Sequence, residues 1–291
     1  MKVSGFSFIR NGIIFDYPFV EAITSVLPLC NEFIVVVGNS DDNTEETVAT
    51  IDPVKIRIIN SIWDDSLRKG GQVLALETDK AFNAVAQDSD WALYIQGDEV
   101  LHEKYHKNVL NSMRQWKDDR RVDGLLFNYL HFYGSYDYIG SAPRWYRREI
   151  RIIRNNKRIY SYGDAQGFRK GNNKKLMVKQ IDAWIYHYGW VKHPRAMQKK
   201  QESFHKYWHD DRWMKENIPV LEAFDYSGID ALERFTGTHP TVMQQRILDR
   251  NWQFDYDPSF NRLDFKNKLK LLSEKYLGFR IGERKNYILV K

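Results

Sequence analysis

Trp91-Ala-Leu-Tyr-Ile-Gln-Gly-Asp98-Glu99 is the stretch on which the reading of this chain turns. A short, continuous apolar run predicts a buried strand, and this one ends in two adjacent acids. In open α/β sheets, ligands bind beyond the carboxyl ends of the strands. Paired carboxylates at such a place suit a hard divalent cation, which takes oxygen ligands and commonly bridges to phosphate. Acids ahead of a helix also serve as caps and dipole partners. On these residues alone both roles stand.

Upstream of this stretch the pattern alternates. Val3, Phe6, Phe8 and Ile9 predict a first strand, ended by Asn11-Gly12. Asp16 is the expected cap of a helix with Pro18 in its first turn, burying Phe19, Ile23, Val26 and Leu27. Phe33 to Val37 reads as a second, β-branched strand. After it, Asp42 and Glu45 have the spacing of a capping box for a helix to about Thr50. Lys55 to Ile59 is a third strand, and Gly70-Gly71 opens a longer helix carrying Leu74, Ala81, Phe82 and Val85. This alternation over residues 1–100 predicts a parallel sheet covered by helices on both faces.

Downstream, a helix is expected near 103–115, then strands over 124–130, 149–153 and 183–190. From about residue 194 the chain reads as mostly helical. Asp264 is the expected cap of a helix holding Phe265, Leu269, Leu272 and Tyr276, with Gly278 as its stop. The expected organisation is an α/β domain over residues 1–192 and a mainly helical extension, 193–291, packed on it.

With 43% hydrophobic residues among 291, the chain can bury a sizeable core. The formal charge of +6 favours anionic partners. The basic clusters are short, and no aromatic-basic recognition motif is present, so nucleic acid is not an expected partner. Cys30 is the only cysteine, which excludes an intramolecular disulfide. There is no run of roughly 18 apolar residues and no signal-peptide pattern, so a cytoplasmic protein is expected.

Four further groups could carry chemistry. Asn39-Ser40-Asp41-Asp42 follows the second strand; an acid there could accept from ribose hydroxyls, though these residue types also favour loops and caps. His187, in Tyr186-His187-Tyr188-Gly189, reads either as a metal ligand or as a buried, hydrogen-bonded histidine. Asp164, between Gly163 and Gly167, is either a general base or a turn residue. Arg147, Arg148, Arg169 and Lys170 could contact phosphate or simply face solvent. No Walker lysine loop, zinc-spaced cysteines or Gly-x-Ser-x-Gly elbow is present.

Taken together, Asn39 to Thr44, Asn83, Trp91 to Glu99 and His187-Tyr-Gly resemble family-2-like glycosyltransferases with the GT-A fold, over about residues 1–192. The resemblance implies a GT-A-like (Rossmann-like), mostly parallel sheet covered by helices. It implies that Asp41 or Asp42, with Asn39, Ser40, Gln96 and Gly97, meets the nucleotide. It implies Mg²⁺ or Mn²⁺ on the donor diphosphate, held by Asp98 and His187, with Arg147 and Arg148 on phosphate. Asp164 and Glu99 would be the catalytic acids, Asp164 as base. The implied reaction is an inverting transfer from a nucleotide-diphosphate sugar to a hydroxyl of a glycan or glycolipid, in cell-envelope glycan synthesis. Peripheral contact with the inner face of a membrane would run through the basic tail, without a marked amphipathic helix.

The chain departs from the family at Gln96, where the first acid of Asp-x-Asp is usual, and at Arg10-Asn11-Gly12, where an acid follows the first strand. Two rival readings follow. One is a glycan-binding module of the same fold without catalysis. The other is a sugar nucleotidyltransferase, which would want a Gly-rich basic loop after the first strand.

Overall fold

Val3–Ile9 (β1), Glu32–Gly38 (β2), Ile56–Ser61 (β3) and Trp91–Tyr94 (β4) pair in parallel, in the order β3-β2-β1-β4. The structure, a computed structural model, describes residues 1–291. Side chains alternate across a strand, so a strand apolar at every position must be covered twice. In β2, Phe33, Val35 and Val37 join one core and Ile34 and Val36 the other. Three helices cover the first face: Phe19–Val26 (α1), Thr44–Ile51 (α2) and His106–Trp116 (α4). Gln72–Asn83 (α3) covers the second through Ala81 and Phe82. Fully burying a side chain such as Ile23 or Phe33 contributes roughly 1.5–3 kcal/mol, and Phe33→Ala costs roughly 3–5 kcal/mol once the cavity is included.

Beyond β4 the direction changes. Arg148–Arg154 (β8) runs antiparallel between β4 and Gly124–Tyr133 (β6). Lys174–Trp190 (β11) then lies parallel to β6. The main path β3-β2-β1-β4-β8-β6-β11 is therefore parallel except at β8, and the expected α/β sheet covered by helices is what the chain forms. Ile159–Tyr162 (β9) and Gly167–Lys170 (β10) form a hairpin on β11. Glu99–Leu101 (β5) crosses antiparallel to β11 with Glu99 opposite His187. That crossing brings the acid pair of the opening stretch against the histidine strand.

The tail holds the helices Pro194–Phe204 (α5), Asp211–Asn217 (α6), Gln244–Leu248 (α7) and Phe265–Leu277 (α8). It also adds strands that periodicity did not announce. Leu232–Arg234 (β12) pairs with Ser135–Gly140 (β7), and Tyr287–Leu289 (β13) pairs with β11. As expected, Asp264 caps α8, accepting from Asn267 N–H at 2.7 Å, and Gly278 ends it at φ +72°. No helix is long and apolar enough to cross a membrane.

Two expected caps are corrected. Asp16 does not cap α1: Pro18 holds that position, and Asp16 adopts a left-handed backbone with its carboxylate 2.5 Å from Arg246. A full guanidinium outbids the weaker helix-end charge. The Asp42–Glu45 capping box does not form either. Asp42 accepts from the N–H groups of Ile13 and Ile14 at 3.0 and 2.8 Å, and Glu45 accepts from Asn60.

Candidate active site

A cavity of about 330 Å³ opens beyond the carboxyl ends of β1 and β4, where the strand-end rule puts a ligand. Its floor is Gln96, Gly97 and Asp98, and its walls include Arg10, Trp63, Tyr146, Asp164 and His187. The tail completes it: Lys200 and Phe204 of α5, with Tyr207, form one side. The site is thus built from both segments that the sequence separated at residue 192.

Asp98 is the centre of its charge. Its Oδ2 lies 3.4 Å from Lys200 Nζ and 3.7 Å from His187 Nε2. Burial opposes ionisation, yet His187 when protonated as an imidazolium, with Lys200 and Lys192, holds the carboxyl down at about 2. Lys200 donates to the carbonyl of Gly189 at 2.9 Å and sits over the Tyr17 ring. Burial lowers its ammonium from the usual range, and Asp98 works against that shift. An ammonium has three donors, so the third is left for an incoming anion. Position 189 tolerates only glycine: a Cβ there would stand 2.7 Å from both Asp98 Oδ2 and the His187 ring.

The tautomer of His187 follows from its neighbours. His131 and His187 are register partners on β6 and β11, with their Nδ1 atoms 3.1 Å apart. His131 Nε2 is 2.7 Å from the carbonyl of Tyr146, which can only accept, so Nε2 carries the proton. His131 Nδ1 then accepts, and His187 Nδ1 must donate. His187 Nε2 is left as a lone pair beside the cavity. Burial lowers both imidazoles, His131 well below the ordinary range, so both are neutral near pH 7.

These donors do not fit a resident divalent cation. Asp98 and His187 supply two ligands, no third His, Cys, Asp or Glu joins them, and an ammonium already contacts the carboxylate. At ordinary protein screening, a divalent ion and an ammonium about 4 Å apart repel by on the order of 8 kcal/mol. Lys200 already sets a positive charge against Asp98, where the expected Mg²⁺ or Mn²⁺ would be held.

The other expected residues separate into two sets. Asp164, Gln96 and Gly97 line the cavity with Asp98 and His187. Asp164 is held by one long bond from Gln166 N–H, at 3.4 Å, and packs on Gly71, whose φ of +67° and contact with Asp164 Cβ both exclude a side chain.

Glu99, expected among the catalytic acids, is instead fully buried. It takes a bidentate pair from Arg151 at 2.6 and 2.7 Å, a third bond from the Tyr129 hydroxyl at 2.8 Å and a fourth from Gln96 N–H at 3.2 Å, which saturates its oxygens. The turn 39–42 supports the cavity without lining it. The Asn39 carbonyl accepts from Arg10, Ser40 Oγ accepts from Asn11 N–H, Asp41 N–H donates to the Asn11 side chain, and Asp42 holds residues 13 and 14. Arg147 is spent on Glu274 and Glu283 of the tail, and Arg148 turns to Asn128. Neither of these two, expected on phosphate, lines the cavity.

Sequence reasoning missed Arg10 and Lys200. Arg10 directly follows β1, stacks over Trp63 at 5.5 Å and bonds Asp65 at 2.7 Å. Its place after a strand was a usable signal. Lys200 had none, being 102 residues from the carboxylate it meets.

No family model matches the chain, and no curated protein sequence does. Solved structures with some similarity include S. aureus TarS 1-349 in complex with UDP, at 15% identity and TM-score 0.38, covering 76% of this chain and 68% of that one. Glucosyl-3-phosphoglycerate synthase from Mycobacterium tuberculosis with Mg²⁺ and UDP is 15% identical at TM-score 0.30, covering 45% and 43%. Another S. aureus TarS structure matches at 15% identity and TM-score 0.36, over 69% of this chain. The chain spans only 38% of that structure's length.

Proposed function

We propose that this protein is a glycosyltransferase that moves a sugar from a nucleotide diphosphate to a hydroxyl of a glycan or glycolipid, with inversion. The observation that carries the reading is the Lys200 ammonium, steadied by Asp98 at the strand-end cavity with one donor to spare. Arg10 on the same wall suits a phosphate. Gln96 and Gly97 on the floor, and the turn 39–42 beneath the wall, shape the nucleotide side. Stabilising charge on a departing diphosphate is what a preorganised cation does best in a water-poor site.

In the proposed step the acceptor oxygen bonds to the anomeric carbon from the face opposite the diphosphate. The bond from that carbon to the phosphate oxygen breaks, and its electron pair leaves with the diphosphate toward Lys200 and Arg10. The hydroxyl proton passes to Asp164. His187 Nε2, with its lone pair fixed by His131, is the second proton acceptor in the cavity. Loss of the acidic limb of a rate–pH profile in Asp164→Asn, but not in His187→Gln, supports Asp164 as base.

Calorimetry with UDP- and GDP-sugars in EDTA tests the reading. Binding in EDTA that falls at least tenfold in Lys200→Met is expected. Absence of binding to any nucleotide sugar, with or without Mn²⁺, would sink the transferase. Binding only with Mn²⁺ would sink the lysine's role and return Asp98 and His187 to the metal.

A further inference from the structure

α8 is built inside out. Phe265, Leu269, Leu272 and Tyr276 are 82%, 48%, 50% and 72% exposed. At about 100° per residue they fall within about 60° of one another, a single apolar stripe facing solvent. Phe279 and Ile281 prolong it, each about half exposed. The inward side is polar: Glu274 takes Arg147 at 2.5 Å and Arg280 at 2.7 Å. Arg280 in turn donates to the carbonyls of Pro143 and Trp145 at 3.0 and 2.9 Å. These charged bonds pin the helix with its apolar side out, against the usual direction of burial.

The charge around the stripe says what covers it. Residues 262–285 hold eight Lys and Arg against three Asp and Glu, a net +5 of the chain's formal +6. Lys268 and Lys275 flank the stripe on one side and Lys266 on the other, and all three are exposed. A second copy of this face would bring the same lysines together and repel. An anionic bilayer surface satisfies both features, apolar side chains entering at headgroup depth while lysines meet the lipid charge.

We propose that α8 docks this protein on an anionic membrane surface, through Phe265, Leu269, Leu272 and Tyr276 with Lys266, Lys268 and Lys275. Docking through α8 is independent of the activity proposed above. Co-sedimentation with phosphatidylcholine vesicles, with and without phosphatidylglycerol, at low and high salt, is the test. Wild-type protein is expected to pellet with the anionic vesicles at low salt and to be released by high salt.

Leu269→Glu with Leu272→Glu is expected to lower partitioning at least tenfold, and glutamine at the three lysines by on the order of 100-fold. Both variants alter exposed positions, so unchanged thermal melting confirms the fold. Failure to pellet at low salt overturns the proposal, as does pelleting unaffected by the double variant. Self-association that the double variant abolishes also overturns it, making the stripe a contact between copies.

Discussion

Asp98 and Glu99 are neighbours in the chain and opposites in the structure. Glu99 lies on β5, fully buried, its oxygens filled by Arg151, Tyr129 and the Gln96 N–H. Arg151 is itself enclosed between the rings of Tyr94 and Tyr129, at 5.2 and 5.3 Å. Asp98 ends the preceding turn at the cavity, with a longer contact to an ammonium that keeps a free donor. The two regions show how one ion-pair chemistry serves two ends. A saturated, dry pair fixes a fold, and an unsaturated, reachable pair can bind.

The difference should appear most strongly in stability. Arg151→Met strands a buried carboxylate, and urea unfolding is expected to show a loss of roughly 3–5 kcal/mol, largely restored by adding Glu99→Leu. A loss below about 1 kcal/mol would mean that the pair does not hold the strands together.

Next is Glu149, near Arg151 on β8. Its Oε2 is buried without a partner, and burial pushes the carboxyl up from 4.5 to about 8 despite Arg151. Its contribution is full below 4.5 and is lost as pH rises through 8, because the unfolded chain has already released the proton. Wild-type stability should therefore fall between pH 5 and 8. Glu149→Gln should remove that slope and be more stable at pH 8 by roughly 2–4 kcal/mol. Parallel pH profiles for the two proteins would show that Glu149 ionises without cost in the fold.

Lys200→Met should cost less stability, about 1–2 kcal/mol, since Asp98 keeps some access to water. Its main effect is at least tenfold weaker nucleotide binding in EDTA, about 1.4 kcal/mol. A stability loss matching Arg151→Met, with binding intact, would erase the contrast between the two pairs. The smallest effect is expected for His131→Phe, which keeps the packing and frees the His187 tautomer. NMR should then show His187 exchanging between Nδ1-H and Nε2-H forms, with a stability change of about 1 kcal/mol.

Much of this was legible early, for a definable reason. The strand–helix alternation over residues 1–100 announced a parallel sheet, and the apolar runs 33–37 and 91–95 can be satisfied only by cover on both faces. Asp98 and His187 were paired only by the resemblance, and in the structure they lie 3.7 Å apart. Glu99 misled because an acid beside a site looks the same whether it points into the cavity or into Arg151. α8 misled in another way: its spacing identified an apolar side, but not which way that side would face.

The amino-acid order by itself determined the local periods, the α8 cap at Asp264 and its stop at Gly278, and the strand-end position of the acid pair, since these depend on contacts within a few residues. The tertiary structure alone decided which acid is sealed and which reachable, which lysine answers it from α5, and that the α8 stripe looks outward. Those outcomes depend on desolvation and on partners more than a hundred residues away, brought together only when the sheet closes and the tail folds over it.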